Sequence, residues 1–206
     1  GGSVMPNWCN NGITIDGPYE TLVKFKEVIE QSDEANNEAD AFLQTMVPMP
    51  AVLVETIKGT GDENQTTFVD GCNNWWDWRI KNWGCKWDVS TEGLEFIDNK
   101  DGTATIEGYF ESPWGPPIDA INTFVEANHD CTLELYYNET GMCFVGKVVG
   151  AEGDASDTYY EYGDLNGNEV RETIGVELDE YFIISESIIE NEQEQLEEEK
   201  LKETAN

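Results

Sequence analysis

Five of the seven tryptophans, Trp75, Trp76, Trp78, Trp83 and Trp87, fall within residues 75–87, together with three of the eleven basic residues, Arg79, Lys81 and Lys86. Indole faces beside cations can stack on a planar ligand or seat a charged group, so this stretch is the first candidate for contact with a base, a peptide or a small molecule. Trp76, Trp78 and Ile80 alternate with Asp77, Arg79 and Lys81. That period of two predicts a strand whose tryptophans pack into a core. The alternation lapses at Asn82-Trp83-Gly84, which reads as a turn or bulge. The candidate contact set is therefore Arg79, Lys81, Trp83, Lys86 and Trp87, with Trp114 from the rigid run Ser112-Pro113-Trp114-Gly115-Pro116-Pro117 as a possible pocket wall.

Other chemistries find little support. His129 is the single histidine and has no evident acid or nucleophile partner in sequence. The cysteines Cys9, Cys72, Cys85, Cys131 and Cys143 form no CxxC pair, so neither a zinc site nor a disulfide framework is expected, and reduced thiols in a cytoplasm are the plain reading. Asp164-Leu165-Asn166-Gly167-Asn168-Glu169 faintly resembles a calcium loop, but its glycine stands at position four where an EF-hand needs six, and Asn166-Gly167 reads as a hairpin turn. No glycine-rich nucleotide loop follows a strand. No catalytic set, no cofactor and no metal are predicted.

The elements that must position these residues come from a chain of 206 residues, 39% hydrophobic and 11% aromatic, enough for one domain with a real core. Gly1-Gly2-Ser3-Val4 reads as a cloning remnant ahead of a natural start at Met5, residues 5–185 as a single domain with a polar insert at 59–74, and residues 186–206 as an acidic helix or tail. Gly12 to Asp16 predicts a strand, and Leu22, Phe25, Val28 and Ile29 an amphipathic helix. Leu94–Ile97 and Thr103–Phe110 predict a hairpin about Asp98 to Gly102, and Ile118, Ile121, Phe124 and Val125 a second helix begun at Pro117. Cys131–Tyr137 with Met142–Val149 and Tyr159–Tyr162 with Glu169–Val176 predict further hairpins. Two helices on one face of a mainly antiparallel sheet give an α+β, ferredoxin-like split β-α-β fold.

The formal charge of −32 from 43 acidic and 11 basic residues is spread along the chain, with −15 in residues 151–206 and −17 before them. It disfavours direct binding to duplex DNA and favours a basic protein partner, or plain solubility. No apolar run is long enough to span a membrane.

Met5-Pro6-Asn7-Trp8-Cys9-Asn10-Asn11 resembles the opening of the Api92-like family, a group of small phage- and plasmid-encoded proteins with a ferredoxin-like domain. Three further stretches resemble its pattern in the same order: Trp78 to Asp88, Ser112 to Pro117, and Tyr136 to Gly146. The resemblance implies the fold and a mobile-element origin, and it implies no reaction. It differs at Cys85, where relatives carry a small hydroxyl residue, in the insert at 59–74, and in the acidic C-terminal extension.

The leading expectation is a non-catalytic, acidic phage accessory protein in the host bacterial cytoplasm. It would bind and modulate a host or phage protein with a basic surface, such as a defence or nucleic-acid enzyme, through mimicry of DNA phosphates. The alternatives are a small-ligand or single-stranded RNA binding module built on the Trp-rich stretch, and a metal-dependent enzyme acting on a phosphorylated ligand.

Overall fold

Strand β1 (Trp8–Pro18) buries Cys9, Asn11, Ile13 and Ile15 on one face, and this alternation makes it the centre of the sheet. In the computed structural model, which describes residues 7–31, 41–56 and 68–204, β1 pairs antiparallel with β3 (Thr103–Pro113) on one side and β4 (Thr132–Glu139) on the other. With β2 (Leu94–Asp98), β5 (Phe144–Ala151) and β6 (Asp154–Glu161) the sheet has six strands in the order β2-β3-β1-β4-β5-β6. The first four strands follow the split β-α-β order expected from sequence, and two added strands widen the β4 edge.

The first crossover runs through α1 (Tyr19–Leu22), a 3-10 turn at Val23–Phe25 and α2 (Lys26–Glu30), burying Leu22, Phe25 and Ile29. It continues through α3 (Phe42–Met46), a 3-10 turn at Ala51–Leu53 and α4 (Trp75–Trp83) before reaching β2. The second crossover is α5 (Ile118–Ala127), whose Ala120, Ile121, Phe124 and Val125 are buried. These helices share one core with the inward side chains of β1, β3 and β4; Phe25, for example, meets both Phe42 and Phe124.

Two expectations are corrected. Trp75–Trp83 is a helix and not a strand: Asn74 caps it by accepting from the Asp77 N–H at 2.9 Å, and Gly84 ends it in the left-handed region. Its tryptophans recur at spacings of three, seven and eight as well as at two, and the caps decide between the periods. The stretch after Asn166 is likewise a helix, α6 (Gly167–Ile174), so no hairpin joins Tyr159–Tyr162 to Glu169–Val176. Asn166 and Glu169 form a reciprocal capping box there, and β6 pairs with β5 instead.

The second face of the sheet is also covered over β4 to β6. Helices α6, α7 (Val176–Phe182) and α8 (Ile184–Thr204) close a separate small core of Val145, Tyr162, Val170, Ile174, Leu178 and Ile184. Asp179, only 2% exposed, clasps the three helices: its carboxylate accepts from the Ser185 N–H at 2.7 Å, the Ser185 hydroxyl at 2.7 Å and Arg171 Nη1 at 2.8 Å. Tyr181 docks α7 on the sheet, stacking on Tyr136 at 4.2 Å with its hydroxyl lying on Gly12, while Lys147 reaches Glu177 at 2.7 Å.

The acidic C-terminal segment includes the continuous helix α8, exposed from Glu190 to Lys202, with the expected Glu198–Lys202 pair at 3.5 Å. The leader Gly1–Val4, the start at Met5, the loop at 32–40 and most of the insert at 59–74 lie outside the described residues. Among the described residues no helix is long and apolar enough to cross a membrane.

Candidate functional site

Helical spacing in α4 places Trp75, Arg79 and Trp83 on one stripe, and the Arg79 guanidinium sits 5.2 Å from the Trp75 ring and 4.7 Å from the Trp83 ring. Trp83 is fully buried, meets Trp78 edge-on at 6.1 Å, and donates its indole N–H to the Val47 carbonyl at 2.8 Å. It organises the core beneath α3. Lys81 projects from the other side of α4, where its ammonium donates to the Asp70 carbonyl at 2.5 Å. Thus the structure separates Lys81 from Arg79 and places Trp83 behind the surface.

Past Gly84 the chain returns to the surface. The Lys86 ammonium lies 3.8 Å from the centroid of the Trp87 ring, and Trp87 stacks with Trp8 at 6.4 Å and 29°. Trp8 is 44% exposed and Trp87 39%. Arg79 lies directly behind, its Nη1 donating to the Lys86 carbonyl at 3.4 Å, while its Nε is buried without a partner. Burial pushes the Arg79 pKa down, against the opposing charge of Asp88.

Asp88 does not neutralise this pair by contact. Its two oxygens accept the Leu43, Gln44 and Val89 N–H groups at 2.7, 2.8 and 2.9 Å, so it serves the first turn of α3. Burial raises its pKa, and these three hydrogen bonds oppose the shift. Among the described residues Arg79, Lys81 and Lys86 form no ion pair, whereas Lys26, Lys100, Lys147, Arg171 and Lys202 all do.

Trp114 follows Pro113, the residue paired with Trp8 across β1 and β3. It adopts a φ of 70° and is 46% exposed, and its N–H donates to the Asn7 carbonyl at 2.8 Å. Buried Asn11 holds this turn by donating to Ser112 Oγ at 2.8 Å, and Ser112 donates to the Gly115 carbonyl at 2.6 Å. The expected contact residue Trp114 thus lies exposed at the turn after Pro113, whereas Trp8 stands outside the contact set expected from sequence. The available signal was Trp8 at the outward position beside Cys9 in an alternating strand.

A second surface was not visible from sequence. On the outer face of the sheet the C-terminal layer reaches as far as Gly12 and Tyr109 through Tyr181, and on the same face register puts Glu95 opposite Glu107, Glu107 opposite Thr14, and Thr14 opposite Glu134. Asp16 and Glu111 share this face, and Tyr109 stands among them 65% exposed, beside a cleft of about 410 Å³ bordered by Asn10, Tyr181 and Phe182. Like charges opposed across a ladder cost a few tenths of a kcal/mol or more each.

All five cysteines are free thiols, and burial pushes Cys9 and Cys85 up to about 12 and Cys131 up to about 11, so these three are protonated at neutral pH. No group of three or more His, Cys, Asp or Glu among the described residues is arranged to hold a metal ion.

Residues 86–177 match a family model described as the ferredoxin-like domain in Api92-like protein. The matched segment supplies β2 to β6, α5 and α6, while β1 and the first crossover lie before it. The crystal structure of a protein Api92 from Yersinia pseudotuberculosis is similar with a TM-score of 0.42 and 12% sequence identity, covering 78% of this chain and 99% of that one. No curated protein matches the chain. Over residues 86–177 the chain resembles the ferredoxin-like domain of the Api92-like family.

Proposed function

We propose that this protein is a non-catalytic binding protein of mobile-element origin that works in the bacterial cytoplasm, engaging a basic surface of a host or phage protein and modulating or inhibiting it. A defence or nucleic-acid enzyme, whose cleft normally receives phosphates, is the class of partner that the charge fits best. The observation that carries this reading is the acidic outer face of β2, β3 and β1, where Glu95, Glu107, Glu111, Asp16 and Glu134 share one rigid surface. Register places no cation among the outward residues of β1, β2 and β3, and Lys147 stands at the margin, 3.5 Å from Glu134. Carboxylates fixed on a sheet lose little freedom on binding and can steer a basic partner from a distance.

The test is capture of partners from bacterial lysate on the immobilised protein at low and high salt, beside the variant E95Q/E107Q/E111Q. The expected result is a basic protein retained at low salt, released at high salt and lost in the variant. Capture of no basic protein at either salt concentration would end this reading.

A further inference from the structure

We propose a second, separate site: the surface made by Trp8, Trp87 and Lys86, backed by Arg79, binds a small planar anion of the nucleotide type. Its ring would lie on the indoles and its phosphate would meet the Lys86 ammonium.

Three observations converge here. Trp8 and Trp87 are both substantially exposed, with ring centroids 6.4 Å apart and planes inclined by 29°, so aromatic surface from both faces solvent. A third indole, Trp114, is exposed at the neighbouring turn after Pro113, the residue opposite Trp8. Aromatic platforms of this kind take any flat ring, because every base has a π face.

The cations give the second observation. In a chain with 43 carboxylates, Lys86 and Arg79 have none within ion-pair distance among the described residues. Asp88, whose charge Arg79 feels, has both oxygens committed to backbone N–H groups. Lys86 instead rests on the face of Trp87 at 3.8 Å, and Arg79 keeps a buried Nε without an acceptor. An ammonium without a carboxylate partner beside exposed rings is what a phosphorylated ring needs.

The third observation is the charge around the site, which selects the size of the ligand. With a formal charge of −32, a long polyanion would meet repulsion from carboxylates beyond the patch. At physiological salt that repulsion is screened over roughly 8 Å, so a ligand carrying one phosphate feels mainly Lys86 and Arg79. The geometry thus points to a mononucleotide and not to a strand.

The test is isothermal titration of the full-length protein with adenosine 5′-monophosphate, adenosine, inorganic phosphate and a ten-nucleotide single strand. Saturable binding of the monophosphate is expected, with adenosine and phosphate alone each at least tenfold weaker. Trp8→Ala, Trp87→Ala and Lys86→Met should each weaken binding at least tenfold. Trp87→Phe, which keeps a ring, should retain most of it, and Lys100→Met, at the distant β2–β3 turn, should change nothing. Circular dichroism checks that each variant is folded. A flat titration with the monophosphate, equal binding by Trp87→Ala, or tighter binding of the strand than of the monophosphate would each overturn the proposal. None of these results depends on whether a basic protein binds the sheet face.

Discussion

Asp179 should control the C-terminal layer without controlling the rest of the fold. Asp179→Ala removes an almost fully buried carboxylate that holds Ser185 at 2.7 Å through both backbone and hydroxyl and Arg171 at 2.8 Å. Hydrogen bonds to a charged group contribute about 1.5–3 kcal/mol each, so the two from Ser185 give about 3 kcal/mol at the low end, and the solvent-screened Arg171 contact adds nothing to that sum. The expected local cost is therefore about 3 kcal/mol, or on the order of a hundredfold rise in opening of α6 to α8. Because Val145, Tyr162, Val170, Ile174, Leu178 and Ile184 form a core distinct from that under α1 to α5, this opening should remain local. Hydrogen exchange reads it directly: amides of 167–184 should lose about two decades of protection while those of β1 and β3 keep theirs. Equal loss in β1 would refute the idea of two separable cores, and unchanged protection in α6 would refute the clasp. The pH dependence has a definite sign. Burial opposes ionisation of Asp179, but Ser185 and Arg171 outweigh it and hold its pKa below the usual aspartate value. Its contribution is thus present above about pH 4 and is lost as pH falls through the lower folded value, so the C-terminal layer should loosen first on acidification, and Asp179→Asn should flatten that dependence.

Gly12→Ala should displace Tyr181, whose hydroxyl occupies the space a methyl group would take, and thereby unstack it from Tyr136; near-ultraviolet circular dichroism should change, and the change should vanish in the Tyr181→Ala background. Trp83→Ala opens a cavity under α3 and strands the Val47 carbonyl, at about 3–5 kcal/mol, so thermal unfolding should drop by roughly 10 °C, whereas Trp83→Phe should cost about half as much. Ile183 holds a φ of 55° at an exposed position between α7 and α8, a poor conformation for a β-branched residue, so Ile183→Gly should stabilise the protein by up to about 1 kcal/mol in chemical denaturation.

Most of the sheet was legible because its signals are local. The alternation from Gly12 to Asp16, the turn at Asp98 to Gly102 and the apolar face of α5 each fixed an element without help from the rest of the chain. The two misread segments failed for one reason. At Trp75–Trp83 and Gly167–Ile174 the pattern of apolar residues was ambiguous, and the deciding information lay in the caps, Asn74 with Gly84 and Asn166 with Glu169. The candidate site was half legible. Composition located Lys86 and Trp87, but Trp8 joins them from a strand far away in sequence, and the distribution of carboxylates on the sheet face follows from cross-strand register.

One small contact has a bearing on how this chain can change over time. The Trp75 N–H donates to the Thr56 hydroxyl at 2.8 Å across a separation of 19 residues, bringing the two ends of the intervening segment together at the base of α4. Once the ends are joined, the free energy of closing the loop grows only logarithmically with its length, by about 0.6 kcal/mol for each doubling. The clasp therefore makes this place a natural port for insertion: residues can be gained between Thr56 and Val69, ahead of the Asp70 and Asn74 that hold α4, while the helix, its buried tryptophans and the surface beyond Gly84 stay where they are.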